Sequence, residues 1–196
     1  MNTTTTGLPA PEAARPRTFL VGTMFASAAA FMAFAGVLLV YVRERAEARS
    51  AGADWFPDGV IQLGPPGFVL ATLILSVVTV QWAVQAINAD DRPNAYVAMG
   101  LTGLFGAAVF NQLWFIIGDT GFALAGSTAE FLFFVVNGAF VVFMVGAVVF
   151  VALTFLRALI GSYGPRRAEA IAGAAFFWHT VVAMWAVTWY VIYVTK

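Results

Sequence analysis

Five separate stretches of this sequence are long and apolar enough to cross a lipid bilayer, and that constrains the fold more than any motif does. They run over residues 18–42, 67–87, 95–117, 131–156 and 171–194. A span needs about 20 predominantly apolar residues to cover the hydrocarbon layer. Helices are the expected form, since a barrel would show alternating strands of about ten residues, and none appear. The fold class is therefore an all-α integral membrane protein, a bundle of five transmembrane helices. Composition agrees. Hydrophobic residues make up 61% of the chain and charged residues 10%, and mean hydropathy is +0.86. Soluble domains carry about a quarter charged residues.

Residues 1–17 are polar and rich in Thr and Pro, and read as an N-terminal arm before a membrane domain at 18–196. The run after the arm exceeds the roughly 7–15 residues of a signal-peptide core, so it reads as a retained span. Net charge is zero, so nucleic acid is not an expected partner. There is no cysteine, hence no disulfide or thiolate metal site. Lys and Arg in the loops set orientation. Six (Arg15, Arg17, Arg92, Arg157, Arg166, Arg167) fall on one side and four (Arg43, Arg45, Arg49, Lys196) on the other. The excess places the N-terminus in the cytoplasm and the C-terminus outside. "RERAEAR" reads as a solvated helical extension with its charges paired at helical spacing.

In the first span Gly22, Ala26, Ala29, Ala30, Ala33 and Gly36 recur in steps of three and four, which puts most of them on one face. Small residues let membrane helices approach closely. Gly100, Gly103 and Gly106 in the third span and Gly138 and Gly146 in the fourth carry the same reading. Polar residues at membrane depth are few: Gln81, Gln85, Asn111, Gln112, Asn137 and His179, with some Ser and Thr. No ionised side chain falls within a span, which argues against a stand-alone transporter or proton channel. Ser127 and Glu130 have capping-box spacing before an apolar run, so Glu130 reads as a helix starter.

His179 is the single histidine. Zinc wants about four ligands, and a haem iron wants a strong axial partner that this chain lacks. Met184 points to another face. No catalytic, cofactor-binding or metal-ligating residue is expected here. On a helical wheel Ala172, Ala175, Ala183 and Ala186 lie within about 40° of His179. Trp178, Trp185 and Trp189 form a stripe about 100° away. The expectation is that the imidazole bonds a neighbouring helix, while the tryptophans face lipid or a larger partner.

The closing "FFWHTVVAMWAVTWYVIYVTK" and the opening "GTMFASAAAFMAFAGVLLVYV" with "ARSAGADWFPDG" resemble the haem–copper oxidase (cytochrome c oxidase) subunit III family in its short five-helix form. Trp178, His179 and Trp185 keep the frame of that family's last helix. Gly22, Phe25, Gly36 and Tyr41 keep the frame of its first helix, and Trp55 and Pro57 give its W-x-P loop. Where the family carries a glutamate, this chain has Ala30. Val182 replaces the aspartate of W-H-x-x-D, and Phe140 and Phe143 replace an H-x-x-H pair. The side chains credited with supporting proton uptake are thus missing, while Gln112 is retained from a middle motif. The resemblance implies a non-catalytic accessory subunit of a respiratory terminal oxidase, with haem and copper in partner subunits I and II. It also implies phospholipid held between the helices, and allows membership of a larger respiratory supercomplex. Alternatives are an accessory subunit of a nitric oxide reductase and, from another class, a membrane transporter. Subunit-contact candidates are Gly22, Ala26, Ala30, Ala33, Gly36, Gly146, Trp178, His179 and Trp185.

Overall fold

A computed structural model describes residues 17–161, 163 and 168–195 of the chain. The polar arm, apart from Arg17, lies outside those residues, as do Arg166, Arg167 and Lys196 of the charge count. Five helices follow in order: α1 Thr18–Ser50, α2 Gly64–Asn88, α3 Arg92–Asp119, α4 Thr128–Leu159 and α5 Glu169–Thr188. A π-helical turn, Trp189–Val194, extends α5. All five helices are long and apolar enough to span a membrane, and the described residues form no strand.

The helix ends follow from local chemistry. Pro65 and Pro66 open α2 and Pro93 opens α3, where a missing N–H leaves no bond unmade. Asp91 caps α3 by accepting from Asn94 N at 3.2 Å. Ser127 caps α4 by accepting from Glu130 N at 3.3 Å. Glu130 reaches back past the cap and accepts from Ala123 N at 2.8 Å, so it ties the preceding turn to the helix. A β-carbon on Gly126 would overlap that carboxylate.

Helix α1 has 33 residues, about 50 Å of rise, and runs eight residues past the apolar stretch that ends at Val42. The Arg43 guanidinium pairs with Glu47 at 2.9 Å, one turn on. The reading of "RERAEAR" as wholly solvated fails at Arg45, which is 9% exposed. Its Nη1 donates to Val191 O at 2.6 Å and to Thr195 O at 3.2 Å. Its guanidinium also sits 5.5 Å from the centre of the Tyr41 ring. Arg45 thus supplies donors to carbonyls at the end of the π turn, where a helix leaves acceptors unmet.

Helix α5 packs against α1, α2 and α4, while α3 closes the bundle between α2 and α4. α1 and α5 run parallel. Thr23 lies against Gly173 near one end, and Arg45 meets Val191 and Thr195 near the other. The main core gathers Trp178, Trp185, Phe34, Phe133, Phe140 and Met144, all nearly sealed from the surface. A smaller cluster of mostly alanines, with Ile87, Met99 and Ile171, sits where α2 ends and α3 and α5 begin. Helices in lipid gain no hydrophobic drive against each other, so tight contact and hydrogen bonds must hold them. Gly106 shows the tightness. A β-carbon there would lie 2.8 Å from Val148 Cγ2 and 3.2 Å from Trp178 Cη2.

Candidate functional site

The interhelical hydrogen bonds are made by short side chains and indoles. Trp178 Nε1 donates to Ser76 Oγ at 2.8 Å, joining α5 to α2. Ser76 in turn bonds Leu73 O at 2.6 Å. Trp185 Nε1 donates to Pro66 O at 3.3 Å. Thr79 and Thr102 hydroxyls meet at 2.8 Å, and Gln112 Nε2 donates to Thr72 Oγ1 at 3.0 Å, so α2 and α3 are stitched twice. Tyr193 OH donates to Asn137 Oδ1 at 3.4 Å, joining the π turn to α4. Trp55, in the loop after α1, donates to Tyr41 OH at 2.9 Å. Each pairs a polar group that hydrocarbon would leave unsatisfied.

This overturns one sequence expectation. Trp178 and Trp185 do not face lipid or a larger partner; they are 1% and 0% exposed. Trp185 packs on Phe140 with ring centres 4.8 Å apart and on Tyr193 at 6.2 Å. The wheel separated the His and Trp stripes but could not say which of them turns inward. The indole N–H can be buried because Ser76 and the Pro66 carbonyl receive it.

The positions that depart from the quoted motifs are filled by apolar packing. Phe140 is fully buried against Trp185. Phe143 meets Phe34 edge-on at 6.1 Å. Val182 is buried, and Ala30 packs on the core from α1. Among the described residues no three His, Cys, Asp or Glu form a group able to hold a metal.

The remaining candidates lie outside the core. Gly22, Ala26, Ala33 and Gly36 are exposed along one face of α1, and Gly146 is exposed on α4. The fold brings Gly22, Ala26 and Gly146 together in an apolar groove of about 560 Å³, flanked by Phe19, Phe150 and Phe177. Ala33 and Gly36 continue the same face about two and three turns beyond Ala26. His179 lies round the other flank of α1, in a second groove of about 430 Å³ with Met24, Ser27, Ala28, Phe31, Met32 and Ala183. Its expected bond to a neighbouring helix is absent among the described residues. Nδ1 instead meets Ala175 O of its own helix at 2.5 Å.

Sequence reasoning missed Arg45, Ser27 and Ser76. Arg45 carried a signal in its i,i+4 spacing from Tyr41. The two serines looked like any scattered hydroxyl in a span.

Residues 12–196 match the family model described as Cytochrome c oxidase subunit III. The chain belongs to that family. A probable cytochrome c oxidase subunit 3 of Nocardia farcinica is 24% identical over 188 residues, covering 93% of this chain and 90% of that relative. The cytochrome c oxidase subunit 3 of Paracentrotus lividus is 29% identical over 152 residues, covering 76% of this chain and 58% of its own. That of Gallus gallus is 30% identical over 137 residues, covering 68% and 52%. The chain thus spans little more than half the length of these animal subunit III relatives, and nearly the whole of the Nocardia one.

Proposed function

We propose that the chain serves as a non-catalytic accessory subunit of a respiratory haem–copper terminal oxidase, stabilising the catalytic subunit in a bacterial-type cell membrane. The match to the subunit III family over residues 12–196 carries this reading. Haem and copper belong to the partner subunits. This chain supplies shape, through a rigid aromatic core that presents small-residue faces to its surroundings.

The contact with the catalytic subunit is placed on the α1 face of Gly22, Ala26, Ala33 and Gly36, together with Gly146 of α4. Its support is exposure combined with small size, which lets another helix come close. Phospholipid acyl chains fill what remains of that groove, because its lining is almost wholly apolar. The N-terminus lies on the cytoplasmic side, supported by the Lys and Arg excess.

Purification from native membranes tests this. A tag on this chain should bring down a haem-bearing subunit, in fixed ratio, through a sizing step. A chain that runs apart from all haem-containing polypeptides sinks the proposal. Ala30→Glu should leave oxidase turnover and proton pumping unchanged, because Val182, Phe140 and Phe143 offer no polar continuation. A clear rise in either would show that a proton role survives.

A further inference from the structure

His179 and Ser27 are two polar side chains at the same depth that the bundle leaves unfinished. The carbonyl of Ala175 can only accept, so Nδ1 of His179 carries a hydrogen and donates to it. In that tautomer of the neutral ring Nε2 holds an open lone pair. No described residue bonds to Nε2. Beside it on the groove wall, Ser27 is 0% exposed, and its hydroxyl has no hydrogen-bond partner among the described residues. His179 lies about 15 Å along α5 from Glu169, close to the middle of a hydrocarbon layer about 30 Å thick. Lipid offers only methylenes there, and a headgroup donor is about 15 Å away.

We propose that the groove between α1 and α5 receives a transmembrane helix of another subunit, and that this helix presents a hydroxyl or amide hydrogen to His179 Nε2. The surface around the groove fits a helix rather than a small ring. The exposed stripe continues through Met24, Met32 and Leu39 on α1 and through Phe176, Val187 and Val194 on α5. From Phe176 to Val194 it is about 27 Å long, nearly the whole bilayer core. Ala28 and Ala183 line the groove and let a backbone approach. This flank of α1 lies about half a turn round the helix from the Gly22 face, so both partners can bind at once.

The test uses the intact complex in native membranes, with benzoylphenylalanine in place of Ala183 and, as control, in place of Trp114, which is 80% exposed on α3. Haem content of the purified complex is read first, so failure of the subunit III reading shows separately. After irradiation and digestion, the Ala183 adduct should map to a membrane helix of a different polypeptide. That helix should carry Ser, Thr, Tyr, Asn or Gln within a turn of the link. His179→Leu should lower the yield about threefold, the size of one interhelical hydrogen bond in lipid, and His179→Gln should retain it. Adducts to lipid, to a quinol or to a second copy of this chain overturn the proposal. So does a yield no higher than the Trp114 control, or one indifferent to His179→Leu. If His179→Leu yields no complex to irradiate, the wild-type adduct and the His179→Gln yield decide the matter.

Discussion

Trp178 and His179 are adjacent in sequence, yet they end up in opposite surroundings. Trp178 is sealed between α2, α3 and α4, with its indole hydrogen on Ser76. His179 stands half-exposed in the groove beside α1, and among the described residues it bonds only to its own helix. The inner face of α5 thus pairs the indoles of Trp178 and Trp185 across to α2, while on the outer face the imidazole has no described partner on another helix. The inner face holds this chain together. The outer face is the one proposed above to meet another subunit.

Substitutions on the two faces should differ accordingly, and the largest effect belongs inside. Trp185→Ala empties a fully buried site beside Phe140 and Tyr193 and should cost about 3–5 kcal/mol. The detergent-solubilised chain should then lose its cooperative thermal transition or fail to accumulate. Next comes Arg45→Met, which strips the donors from Val191 and Thr195 and should cost about 1.5–3 kcal/mol. Hydrogen exchange at the amides of Trp189–Val194 should quicken, while amides in the middle of α4 hold their protection. Gly106→Val forces a side chain against Val148 and Trp178 and should cost about 1–3 kcal/mol. The smallest effect is outside. His179→Leu should shift the stability of the isolated chain by no more than about 0.5 kcal/mol. A fall as deep as that of Trp185→Ala would erase the distinction between the two faces.

The spans were legible because hydrocarbon demands a minimum apolar run, and the five runs in the sequence are the five helices. The Ser127 cap was legible too, because capping is decided within four residues. What escaped was whatever depends on distant neighbours. The tryptophan stripe reads as an outward surface until Ser76 and Pro66, 102 and 119 residues away, are seen to receive its hydrogens. Arg45 sits in a run of charges that looks like any wet helix end. Its acceptors lie 146 and 150 residues further on, and no local pattern announces them. Of the candidate contact residues, the exposed glycines and alanines of α1 could be grouped by spacing alone. That Gly146 joins them from α4 could not, since it depends on which helices become neighbours.

That long separation has a consequence for how the protein is made. Arg45 leaves the ribosome 150 residues ahead of Thr195. At about 5–20 residues per second, the interval is roughly 8–30 s. For all that time the two carbonyls that Arg45 serves do not yet exist. The bond to the closing turn can form only once synthesis reaches that turn. A chain cut short before Val191 would therefore lack both carbonyls that Arg45 serves, and that end of α1 would have no tie to the turn after α5.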